Sequence, residues 1–152
     1  RVDVRGVADQ PPSRRRGMTM SSSAKEIGKR LRWPALAAAV AGASAVLLGA
    51  LGAHALRAGL SAAMLDVWET AVRFQFWHAL ALAVCALPAR RTRARRVAAM
   101  LFVLGIVLFC GSLYALALGA PRVVGIATPL GGMAFVGGWI ALGAALYRGA
   151  SE

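Results

Sequence analysis

Four apolar runs, each about as long as a bilayer is thick, decide what this chain can become. The first, Pro34 to Ala53, contains no charged residue; the others lie at about Trp68 to Leu87, Val97 to Gly119 and Ile126 to Tyr147. A hydrocarbon core about 30 Å thick is crossed by about 20 mostly apolar residues in a helix. The connections are short, and helices are the open-chain structure whose backbone hydrogen bonds are all satisfied within lipid. The reading is therefore all-α: a polytopic membrane protein, an antiparallel four-helix transmembrane bundle over 34–148, with helices at about 34–53, 68–87, 97–119 and 126–147. Residues 1–33 form a basic, disordered tail and 149–152 a C-terminal tail. Met18 and Met20 stand just before a Ser-rich stretch, so 1–17 are read as an over-extended start or a tag remnant. Pro34 suits the start of the first helix. Ser61 suits an N-cap that would begin the second helix early, with Ala62 to Trp68 interfacial.

A hydrophobic fraction of 59% and a mean hydropathy of +0.62 agree with the membrane class. The 18 Lys and Arg against 6 Asp and Glu give a net charge of +12, crowded into short stretches. Nucleic-acid binding would need a soluble fold to present those arginines, and removing the apolar runs leaves only tails and loops, so the charge is read as topology. Lys25, Lys29, Arg30 and Arg32 precede the first run, Arg90, Arg91, Arg93, Arg95 and Arg96 follow the second, and Arg148 follows the fourth; Arg57 and Arg122 alone lie outside the runs on the other side. The positive-inside rule then places both termini and the Arg-rich loop in the cytoplasm, with the chain in the cell (inner or plasma) membrane. Trp33, Trp68 and Tyr147 near span ends suit interfacial anchoring. Ala53-His54-Ala55 after the first run could be a signal-peptide cleavage site, but that run exceeds the 7–15 residues of an ordinary signal core, which favours retention.

Small residues recur every four positions at Ala37, Ala41, Ala45, Gly49 and Ala53, and at Gly137, Ala141 and Ala145. Such ridges let helices approach closely, within one bundle or between two copies. Cys85 and Cys110 sit inside apolar runs as small buried hydrophobes.

Chemistry would have to sit on the second run, the one that carries charges. Glu69 and Arg73 are four apart and share a helix face, where they can pair; Gln75 and His78 project nearly opposite to Glu69, since nine residues rotate by about 900°. His78 falls about 15 Å below Trp68, near mid-bilayer, whereas His54, Ser112, Tyr114 and Thr128 fall in the outer half. The candidate polar cluster is therefore His54, Glu69, Arg73, His78, Ser112, Tyr114 and Thr128. Each has a structural alternative: a neutralised pair at a helix start, a histidine bonded to nearby backbone, and Thr128-Pro129 as an N-cap followed by Pro at the first helical position. No metal or cofactor site is expected. The two histidines are separated by about half a bilayer, no HExxH or Cys/His cluster occurs, and the depth difference also argues against haem held by His54 and His78. No GxSxG motif or triad spacing marks a hydrolase, and no catalytic residue is assigned.

Several strings taken together, GALGAHAL at 49–56, WETAVRFQFWHALAL at 68–82, GSLYALAL at 111–118, TPLGG at 128–132 and GGW at 137–139, resemble the domain-of-unknown-function 423 family, also called transmembrane protein 256-like, of small four-span membrane proteins. The resemblance implies a multipass membrane location and brings no activity. It covers His54, Trp68, Glu69, Arg73, His78, Ser112, Tyr114, Thr128 and Pro129. Phe74-Gln75 departs from the Tyr-His or similar pair that often follows WETAVR, so no role is carried to Gln75. The functional expectation is a non-enzymatic structural or accessory membrane subunit, its partners the lipid bilayer and a second copy or another membrane protein. The alternative is a small dimeric transporter or channel using Glu69, Arg73 and His78.

Overall fold

The computed structural model describes residues 14–87 and 92–150, with side-chain placement described over 33–87 and 92–148. Residues 1–17 up to position 13, the loop arginines Arg90 and Arg91, and the last two residues of the C-terminal tail lie outside the described residues. The chain divides into two compact units, Arg1–Leu31 and Arg32–Glu152. The bundle is the second.

Among the described residues five α-helices make four rods: α1 (Arg14–Leu51), α2 (Ala62–Ala86), α3 (Arg93–Gly105) continued by α4 (Gly111–Ala117), and α5 (Ala127–Ala150). No strand occurs among the described residues. Contacts fix the directions. Gly42 faces Ala79 and Gly49 faces Val72, so α1 and α2 are antiparallel; Ser112 meets Thr128 while Gly138 meets Phe102, so α4–α3 and α5 are antiparallel too. The core between them is built of small and aromatic residues, among them Ala71, Leu82, Ala98, Phe102, Cys110 and Phe135. Small residues matter because lipid competes for apolar surface as well as a neighbouring helix does, and close backbone approach is what favours the helix. Ala41 and Ala45 are buried, which commits the ridge of α1 to packing on α2.

Helix ends follow local chemistry. Ser61 caps α2, its hydroxyl accepting from the Met64 amide at 3.3 Å, and Ala62 is the first helical residue. Leu87, just before Pro88, is extended (φ −59°, ψ 142°), as a residue preceding proline must be, and α2 stops. The Arg95 guanidinium then donates to the Val84 carbonyl at 2.6 Å, which also accepts from the Leu87 amide at 3.3 Å, a cation at the negative end of a helix. Gly119, at φ +92°, closes α4: its amide reaches the Leu116 carbonyl at 3.0 Å and the Ala120 amide the Ala115 carbonyl at 2.9 Å, a pattern that needs a left-handed residue.

Several sequence expectations are corrected. α1 does not begin at Pro34 but carries it inside; Ala, Lys, Glu, Leu and Arg before it are strong helix formers, and the helical backbone covers 14–33, expected as tail. The third rod is not one uninterrupted helix. Ile106–Cys110 form a π-helical turn, as do Gly52–Leu56 after α1. Trp68 is no interfacial anchor: it is buried, 2% exposed, because its indole has partners inside the bundle. Among the described residues three segments are long and apolar enough to cross a membrane, Trp33–Leu56, Arg93–Ala117 and Arg122–Arg148, against the four expected. α2 is equally long, and Glu69, Arg73, Gln75 and His78 make it less apolar.

Candidate functional site

α2 touches α1 on one side and α3, α4 and α5 on the other, so its polar residues are partnered according to the face they occupy. Gln75 is buried and ties three rods together. Its Nε2 donates to the Ala41 carbonyl at 2.9 Å and to Ser44 Oγ at 2.7 Å, and its Oε1 accepts from the Tyr114 hydroxyl at 3.0 Å. A carbonyl can only accept, so the amide nitrogen must face Ala41, which fixes the orientation of the side chain. Ser44 passes its own proton back to the Val40 carbonyl at 2.7 Å, with the Ala41 carbonyl 3.2 Å away. The result is a directed chain from Tyr114 on α4 through Gln75 on α2 to Ser44 and the backbone of α1. Trp68 lies beside it. Its Nε1 donates to the Leu48 carbonyl at 2.9 Å, its ring rests against Tyr114 with centroids 4.7 Å apart, and Gly52 supplies the space, since a Cβ there would come within 2.7 Å of the indole.

One turn further along α2, His78 is held on both edges and one face. Nδ1 is 2.6 Å from the Phe74 carbonyl, so Nδ1 carries the proton; Nε2, left with its lone pair, accepts from the Trp139 indole at 3.3 Å. That is the neutral imidazole with both nitrogens used. Phe135 stacks on the ring at 3.5 Å and 12°, and Phe102 and Phe74 stand 5.7 and 6.0 Å away. A metal or haem iron at Nε2 would have to displace the indole. Ser112 and Thr128 form a third link: Ser112 Oγ donates to the Phe109 carbonyl at 2.9 Å, so the Thr128 hydroxyl donates to Ser112 Oγ at 2.7 Å. Thr128 is thereby not an N-cap. α5 already begins at Ala127, after a 3₁₀ turn over Arg122–Ile126, and Pro129 falls in the first turn, where its missing N–H costs nothing.

The seven sequence-selected residues thus separate. His78, Ser112, Tyr114 and Thr128 enter the interior in three separate links: Tyr114 with Gln75, His78 with Trp139, and Ser112 with Thr128. His54, Glu69 and Arg73 are exposed, and no ion pair joins Glu69 to Arg73 among the described residues, although their spacing allows one. Gln75, Ser44 and Trp139 were missed as members. Gln75 had a usable signal, being an uncharged polar residue on the helix face opposite Glu69; Ser44 and Trp139 sit in otherwise apolar runs and become visible once the rods are registered. Among the described residues no three His, Cys, Asp or Glu side chains gather as a metal site would require.

The model of the family described as "Protein of unknown function (DUF423)" matches residues 48–132, from the last turn of α1 into the first turns of α5. The chain belongs to the DUF423 family. Among curated relatives it is similar to a UPF0382 membrane protein of Staphylococcus haemolyticus, 43% identical over 95 residues covering 62% of this chain and 78% of that one. A UPF0382 membrane protein of Haemophilus influenzae is 41% identical over 105 residues, 68% and 85% of the two chains, and the UPF0382 inner membrane protein YgdD of Escherichia coli is 36% identical over 110 residues, 71% and 84%. No solved structure matches. This DUF423 member is accordingly a helical membrane protein. Trp68, Gln75, His78, Ser112, Tyr114 and Thr128 lie within the matched region, while Ser44 and Trp139, which complete two of the three polar links, lie outside it.

Proposed function

We propose that this DUF423 protein is a non-enzymatic structural or accessory subunit of the cell membrane, crossing it four times with both termini in the cytoplasm. The observation that carries the reading is the engagement of the polar groups on the inward face of α2: each polar atom of the Gln75 amide and each ring nitrogen of His78 has a partner within the chain. A group meant to take up a substrate is better served by a free valence, and the polar atoms of Gln75 and His78, both buried, are already engaged within the chain. Buried polar networks of this kind specify one packing arrangement among apolar helices that could otherwise slide. α2, the most polar rod, is read as crossing at the centre of the bundle with Gln75 and His78 turned inward. The Arg-rich loop and the basic residues before α1 support the cytoplasmic placement.

Nitrogen-15 NMR of the protein in lipid at neutral pH tests the structural role of the network. The expected result is a protonated Nδ1 and an unprotonated, hydrogen-bonded Nε2 for His78, the latter changed by Trp139→Phe. An imidazolium signal, or fast proton exchange with water, would sink the reading and reinstate a transport role for His78.

A further inference from the structure

Among the described residues one buried side-chain nitrogen or oxygen has no hydrogen-bond partner, and it belongs to a cation: Arg95 Nε. The residue is 8% exposed. Its guanidinium donates elsewhere to the Val84 carbonyl at 2.6 Å, which offers a partial charge and no full one. No carboxylate neutralises it within the chain where side chains are described. The acids there are Asp66 and Glu69, and Glu69, the nearer, is about 22 Å along α2 from Val84 at about 1.5 Å per residue. A buried charge without a counter-ion is costly enough that folded chains pair it.

The helix that carries Arg95 is charged against its own dipole. Arg93, Arg95 and Arg96 occupy the first turn of α3, which holds no acid, at the end where the macrodipole is positive and cations are disfavoured. The Arg95 and Arg96 amides donate to Thr92. The amides of Arg93 and Ala94 are first-turn donors with no carbonyl behind them in the helix. Side chains of a helix lean toward its N-terminus, so from the third position of α3 Arg95 runs toward that same end, where the last turn of α2 also finishes.

We propose that the Arg95 guanidinium and the first turn of α3 form a binding site for a phosphate group, its oxygens accepting from Arg95 Nε and from the amides of Arg93 and Ala94. Phosphate brings the full negative charge that the Val84 carbonyl lacks, and several acceptor oxygens that match both a guanidinium fork and a helix N-terminus. With so little of Arg95 exposed, the opening suits one small anionic group rather than a protein surface. Two sources carry that chemistry: the headgroup of a membrane lipid, which lies at the depth of helix ends, and dissolved phosphate. The site belongs to whichever membrane face the α2–α3 end occupies, so it holds apart from the orientation proposed above.

Full-length protein in a maltoside detergent, which brings no phosphorus, tests the site with sodium phosphate and with phosphatidylglycerol as separate probes at matched ionic strength. With nitrogen-15 arginine, phosphorus-31 dephasing in frozen samples reports whether phosphorus stands beside Arg95 Nε, the signal that Arg95→Lys removes. Titrations followed by melting temperature give the affinity. Arg95→Lys keeps the charge and loses the fork, and is expected to weaken binding about tenfold. Arg96→Gln removes an exposed charge from the same turn and is expected to weaken it about twofold. Dephasing with both probes supports a site for any phosphate group; dephasing with phosphatidylglycerol alone supports a lipid headgroup, and with sodium phosphate alone a dissolved ion. No dephasing of Nε with either probe overturns the proposal. So does a loss in Arg96→Gln as large as in Arg95→Lys, which would mean that the basic end attracts anions by charge alone. If Arg95→Lys does not fold by circular dichroism, dephasing in the unaltered protein decides.

Discussion

Tyr114 and Gln75 show why a single hydroxyl matters in this interior. Tyr114→Phe removes the donor to Gln75 Oε1 and strands an acceptor among apolar side chains, so stability is expected to fall by about 1 kcal/mol. Gln75→Leu strands the Tyr114 hydroxyl and unties α1, at a cost of about 2 kcal/mol. The double variant is expected to cost less than the sum, because removing both partners leaves nothing unsatisfied along that bond. Thermal or denaturant melts of the four proteins in one detergent measure the difference; strict additivity would mean that the bond carries no coupling. Ser61 behaves by ordinary aqueous rules at its helix end: Ser61→Ala removes the acceptor for the Met64 amide and is expected to fray the first turn of α2, worth about 1 kcal/mol.

At the scale of the elements, packing is decided by where glycine lets one rod into another. A Cβ at Gly131 would collide with the backbone of Phe109, and one at Gly105 with the ring of Phe135. Phe109 lies in the π turn over Ile106–Cys110 and Gly105 directly precedes it, so α5 is seated against that wider turn through Gly131 and through the Phe135 ring that Gly105 admits. Gly131→Ala is expected to lower stability by about 3 kcal/mol, since main chain cannot move aside as a flexible side chain can. Gly143→Ala, with open space around it, is expected to leave stability unchanged or slightly raised. Equal melting temperatures for the two variants would show that the seat at Phe109 is not tight. This contrast also shows how far the sequence could be read. The rods were legible because a charge-free run has few alternatives, and Ser61 was legible because an N-cap is a local device. The π turns were not, since Gly105 and Gly111 bracket one of them without any pattern that separates it from ordinary helix. Nor was the Gln75 hub, because its acceptors on Ala41 and Ser44 come from another rod, and the register between rods is set by the small residues all along α1. Glu69 and Arg73 were correctly placed on one face, but sharing a face does not determine whether a side chain turns toward its neighbour on the same helix or away from it.

For the whole molecule the open quantity is the number of crossings, because three segments qualify by apolarity alone and α2 carries its charges outward. The connections make this decidable. If α2 crosses, the link between α1 and α2 and the link between α4 and α5 lie on the same side, separated by two crossings; if it does not, they lie on opposite sides, separated by one. Gly59, with open space around it, and Val123, 65% exposed, mark the two links, and Arg148 marks the cytoplasmic end expected from the distribution of Lys and Arg. Cysteines placed singly at these three positions, with Cys85 and Cys110 replaced by Ala, are expected to react differently with a membrane-impermeant maleimide on intact cells. Gly59→Cys and Val123→Cys label from outside, and Arg148→Cys labels only after permeabilisation. Labelling at Gly59 without labelling at Val123 would remove α2 from the membrane. The reverse of the whole pattern would keep four crossings and turn the protein over, and the arginines of the loop after α2 would then face away from the cytoplasm, against the bias that orients most multipass chains. The first outcome is favoured on physical grounds: outside the membrane Gln75 and His78 would have water as a partner, and the interior links they make to Ser44, Tyr114 and Trp139 hold together rods that themselves have to cross.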